Sequence, residues 1–147
     1  DGRSLRVEGM VGDVSTLLLK PTTFMNRSGS ALVGLRDLQG FDVTTDLLVV
    51  VDDTALDPGR VRFRPGGGAG GHKGLRSVSA SLATHSYARL RVGVGQVPPR
   101  EDLSEWVLSP MGDADEDMVL ERLAELSGAV EVWMREGIEE VMNQFNR

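Results

Sequence analysis

Residues Phe63 to Gly74 read FRPGGGAGGHKG, and six of these twelve positions are glycine. The residues before it, Arg60 to Arg64, read as a strand, and the residues after it place Leu75, Val78 and Leu82 at helical spacing. Glycine is needed where the backbone takes a positive φ or lies close to a ligand. A glycine-rich turn that opens a helix also offers backbone N–H groups at the positive end of the helix dipole, which suits an anion. His72 and Lys73 stand at the mouth of that turn. The plain alternative is a flexible loop that happens to carry a histidine.

Working outward, Tyr87 to Gly95 reads as a further strand, with Arg89 and Arg91 on one face and Leu90 and Val92 on the other. Upstream, Leu47 to Val51 is a continuous apolar run, expected to be a buried strand, and it delivers Asp52 and Asp53 at its C-terminal end. Ligands of open α/β sheets bind at such ends. One of the two carboxylates could orient a histidine by accepting its Nδ1–H. A turn or capping role is the second possibility. Joint binding of Mg²⁺ is the least favoured, because adjacent residues of an extended chain point to opposite sides. A dinucleotide site would need G-x-G-x-x-G in the first βα unit and an acid about 20 residues on. No acid occurs between Pro65 and Arg100.

Near the N-terminus, Leu5–Val11 and Val14–Leu19 read as two strands across a Gly12-Asp13 turn. The run Leu17-Leu18-Leu19 is expected to be covered on both faces, and Lys20-Pro21 ends it. The loop KPTTFMNRSG, residues 20 to 29, holds Phe24, Met25 and Asn26. The Asn26 amide can donate and accept at once, so it can hold a water and a carbonyl together. Alternatively, Asn26 or Ser28 caps a helix whose apolar face is Ala31, Leu32, Leu35 and Leu38, ended by Gly40. Toward the C-terminus, Asp102 to Leu108 reads as a short helix stopped at Ser109-Pro110. A long helical pattern then runs from Asp113 to Phe145, bent at Gly128 or Gly137, with acids in its first turn to complement the dipole.

The 147 residues are enough for one domain with a sizeable core. Cysteine is absent, which excludes disulfides and thiolate metal sites and fits a reducing compartment. No stretch reads as a membrane span or a signal peptide. The chain opens on Asp1 rather than Met, as a fragment, a processed product or an expression product would. The net charge of −6 conceals a division. Residues 60–100 hold eight Lys or Arg and no acid, whereas residues 101–147 hold thirteen acids and three Arg. The local block points to a polyanion partner, because phosphate binding depends on the charges near the phosphates. Arginines that merely alternate outward on strands are the simpler reading.

Three stretches together resemble the bacterial peptidyl-tRNA hydrolase family. They are KPTTFMNRSG at 20–29, LLVVVDDTALDPGRVRFR at 47–64, and GGGAGGHKGLRSV at 66–78 with ARLRVGVG at 88–95. The closing VLSPM and MNQFN segments are similar too. The resemblance implies a single α/β domain with a central mixed, twisted sheet flanked by helices and a long C-terminal helix. It implies hydrolysis of the ester that joins a peptide to the 3′ end of tRNA, by a cytoplasmic monomer without metal, cofactor or membrane. By position it makes Asn26 a substrate-binding residue that helps place the attacking water, and Phe24 an aromatic lining the acceptor-end site. Asp52, rather than Asp53, falls on the carboxylate that supports the catalytic histidine, a choice fixed by the count to Pro58-Gly59. His72 becomes a site residue beside the substrate's 3′ end, and Arg64 and Arg91 grip a tRNA phosphate. Lys73 stands where better-known members carry Asn. It keeps a donor and adds charge but cannot accept a hydrogen bond, and it is expected to contact tRNA. The family's opening strand and the histidine that acts as its general base have no counterpart in these residues, and His85 does not match it. The chain alone is therefore expected to bind tRNA with little turnover, since a general base must come within about 3 Å of the proton it takes. A non-catalytic RNA-binding relative of the family is the alternative.

Overall fold

The structure, a computed structural model, describes residues 2–146. Its elements in chain order are strands β1 (Ser4–Val11) and β2 (Val14–Pro21), a 3₁₀ helix (Met25–Leu32), a single 3₁₀ turn (Leu35–Asp37) and helix α1 (Val43–Asp46). There follow β3 (Leu48–Asp53), β4 (Val61–Arg64), α2 (Lys73–Leu82), β5 (Ala88–Gly93), α3 (Leu103–Leu108), α4 (Asp113–Glu136) and α5 (Ile138–Phe145). The α/β class with a mixed sheet, flanking helices and one long helix is as expected. That sheet has the order β3-β5-β4, with β4 antiparallel to β5; β1 and β2 form a separate two-stranded antiparallel sheet.

The chain divides into two compact units, residues 2–49 with 65–88 and residues 50–64 with 89–146. In the first, β1 and β2 pair from Ser4↔Pro21 to Val11↔Val14 across the Gly12-Asp13 turn. The expectation that Leu17 to Leu19 is covered on both faces fails. Leu18 is 64% exposed, as are its neighbours Leu5 and Val7 to a similar degree. The unit's core is instead Ala31, Leu32, Leu35, Leu75, Val78, Leu82 and Tyr87, which join the 3₁₀ helix to α2. Burying Leu75, Val78 and Leu82 satisfies the helical spacing read from sequence. The tyrosine hydroxyl is paired inside that core, 2.8 Å from Ser79 Oγ. Residues 26–40 do not form the expected α-helix. They break into two 3₁₀ pieces around Gly34, and neither Asn26 nor Ser28 caps them. A true capping carboxylate lies further on. Asp42 accepts from the Thr44 hydroxyl and backbone N–H at 2.7 and 2.8 Å, which holds its carboxyl below the usual range.

In the second unit, β4 and β5 pair in the register Val61↔Val92, Arg62↔Arg91, Phe63↔Leu90, Arg64↔Arg89. Val61, Phe63, Leu90 and Val92 are buried, together with Leu126, Ala129 and Val141 of α4 and α5. Val50 of β3 is 58% exposed, so β3 is not the fully buried strand its apolar run suggested. The long C-terminal helix is broken rather than bent. It stops at Gly137, at φ 90° and ψ 179°, while Gly128 stays within α4. The break redirects α5 toward β4, where the Asn146 amide takes both backbone groups of Phe63. Its Oδ1 accepts the N–H at 2.6 Å and its Nδ2 donates to the C=O at 3.1 Å.

Candidate active site

In the first unit the glycine-rich turn delivers a capped helix. Gly70 and Gly71 adopt φ of 59° and 83°, left-handed values that cost glycine little. They bring the chain to His72, which sits at the N-cap of α2 with an extended backbone. Its Nδ1 accepts the Leu75 N–H at 3.2 Å. One of the N–H groups expected to meet an anion is thus satisfied within the protein. An accepting Nδ1 also places the proton of the neutral ring on Nε2. Lys73 opens the helix and is exposed.

Asn26 lies exposed in the first turn of the 3₁₀ helix, just after Phe24, which is 83% exposed. That helix is joined to α2 at backbone distance. The Gly29 N–H donates to Ser77 Oγ at 2.9 Å, and a Cβ on Gly29 would stand 2.2 Å from the Ser77 carbonyl oxygen. A second joint sits beside the histidine. A Cβ on Gly74 would meet Met25 Sδ at 2.7 Å and His72 Cε1 at 2.9 Å. The thioether and the imidazole thus border the same glycine, and the residue after Met25 is Asn26. The structure therefore brings the segments of Phe24, Asn26, His72 and Lys73 together within one unit.

Asp52, Arg64 and Arg91 belong to the second unit. Asp52 and Asp53 end β3 and are both half-buried. Their roles separate. Asp53 Oδ1 accepts the Ala55 N–H at 2.8 Å, closing a turn, and its Oδ2 lies 3.6 Å from Arg91 Nη1. Among the described residues there is no group of three or more His, Cys, Asp or Glu that could hold a metal. Arg64 is exposed at the end of β4. Arg62 and Arg89 were read in sequence only as part of the basic block and its strands, and not as site residues. The β4–β5 register puts Arg62 opposite Arg91 and Arg64 opposite Arg89, so all four occupy one face, and Arg89 is only 1% exposed. Period-two alternation on both strands was the signal, but it needed the register to line the four up.

The family model described as peptidyl-tRNA hydrolase matches residues 2–147. Among curated relatives, the peptidyl-tRNA hydrolase of Chloroflexus aggregans is 40% identical over 139 residues, spanning 95% of this chain and 74% of the relative. That of Rhodococcus opacus is 41% identical over 143 residues, spanning 95% and 73%. A crystal structure of peptidyl-tRNA hydrolase from Acinetobacter baumannii superposes with a TM-score of 0.89 at 27% identity, covering 98% of this chain and 72% of that one.

Proposed function

The chain belongs to the peptidyl-tRNA hydrolase family, and from that membership we propose that it hydrolyses the ester between a peptide and the 3′ end of tRNA, returning tRNA from stalled translation. The observation that carries this reading is the match of residues 2–147 to the family model at about 40% identity to curated relatives. Each residue then takes a role its chemistry allows. The exposed Asn26 amide donates to the substrate and accepts from the attacking water. Asp52 supports the histidine that serves as general base. His72 is a donor through Nε2–H at the acceptor end. Its Nδ1 is committed to the Leu75 N–H, so a base role would cost the helix its cap. Phe24 presents an exposed ring suited to a terminal base, and Lys73, Arg64 and Arg91 take phosphates. The protein acts as a cytoplasmic monomer. No helix among the described residues is long and apolar enough to cross a membrane.

The test is release of labelled peptide from peptidyl-tRNA by the protein that carries this chain. Asp52→Asn and Asn26→Asp are each expected to cut the rate by about a hundredfold or more, within the range for general acid–base groups. Affinity for deacylated tRNA is expected to stay close to wild type in Asp52→Asn. Binding of tRNA without any release by the unmutated protein would favour the RNA-binding alternative.

A further inference from the structure

The β4–β5 register sets like charges opposite each other, Arg62↔Arg91 and Arg64↔Arg89, an arrangement that repels wherever it is not compensated. An arginine held there for binding also has a long side chain with many rotamers, and one of them must be selected. Asp53 supplies the selection at Arg91. One carboxylate oxygen is fixed by the backbone of the Ala55 turn, so the side chain is itself held rigid. The other faces the guanidinium at 3.6 Å, beyond hydrogen-bond length. Both side chains are largely withdrawn from water, at 14% and 18% exposure, so the pair is screened less than a surface ion pair.

We propose that Asp53 is a positioning residue that aims Arg91 at a phosphate of the RNA substrate. The inference rests on the reading that Arg91 meets a phosphate, and the sign of one measurement separates positioning from bare charge. A carboxylate beside a phosphate site opposes RNA binding by Coulomb's law, so removing its charge alone should tighten the complex. Removing an aiming device should weaken it.

The experiment measures affinity of the whole chain for deacylated tRNA by fluorescence anisotropy across a salt series. Asp53→Asn keeps the turn acceptor for Ala55 and loses only the charge. Affinity is expected to fall by roughly three- to tenfold, a fraction of one charge-assisted contact. The log–log salt slope is expected to flatten by up to about one phosphate, 0.7–0.9. In an Arg91→Ala background, the same substitution is expected to have no weakening effect. Tighter binding by D53N, or an equal loss in both backgrounds, overturns the proposal. Arg91→Ala with affinity and slope unchanged removes Arg91 from the phosphate site, and the assignment of that residue falls with it. Weakened R91A beside a silent D53N sinks the role of Asp53 alone. Asp53→Ser, which also keeps a turn acceptor, repeats the measurement where D53N fails to fold.

Discussion

A histidine at an N-cap has one of its two nitrogens committed before any substrate arrives. His72 gives Nδ1 to Leu75, and this makes a stability forecast independent of catalysis. His72→Ala is expected to lower stability by about 1 kcal/mol, the usual value of a lost cap, whereas His72→Asn restores an accepting oxygen and most of that loss. Urea denaturation checks both, and equal destabilisation by the two would show that the cap does not hold the helix. At this scale the sequence was half legible. His72 stood out by its place in the glycine-rich turn, but its cap did not, because histidine is not among the residues that favour that position. Asn26 is the converse, a favoured capping residue that does not cap. The residue is left exposed.

At the level of elements, the joint between the 3₁₀ helix and α2 fixes where Asn26 sits with respect to His72. Gly29→Ala would drive a methyl into the Ser77 carbonyl, backbone that cannot swing away. A loss of at least about 1–3 kcal/mol is expected, as for overpacking elsewhere. Ser77→Ala, which deprives the Gly29 N–H of its acceptor, is expected to cost about 1 kcal/mol. Chemical denaturation of the two variants measures both, and a G29A protein as stable as wild type would mean that the helices do not approach so closely. The elements β4, α2 and α3 were readable because periodicity, glycine and a capping aspartate agreed on them. Residues 26–40 were not. Their leucines recur at helical spacing, but the chain reverses at Gly34, with φ at 91°, and the spacing carries no sign of that. Leu17 to Leu19 show a different limit. An apolar run states a preference for burial and says nothing of what is present to cover it.

Across the whole molecule the division of charge read from sequence acquires a location, because the acid-free block supplies both strands of the arginine face. Of the acidic residues of the C-terminal third, Asp113, Asp115 and Glu116 open α4, where they complement its dipole. The α/β class was legible from the order of strand, turn and helix. The register that gathers Arg62, Arg64, Arg89 and Arg91 was not, since pairing is a property of two distant segments at once. The amide of Asn146 has a wider consequence. Strand β4 lies outermost in its sheet, and such an edge offers backbone groups on which a second chain can template a strand. By occupying the N–H and C=O of Phe63 together, one side chain imitates the neighbour that is absent and blunts the edge. Asn146→Leu, which packs but cannot pair, is expected to leave a folded protein that self-associates as its concentration rises, detected by light scattering or sedimentation. A variant that stays dispersed at every concentration would show that the edge is guarded by something else. Asn146 thus closes the outer side of β4 at Phe63.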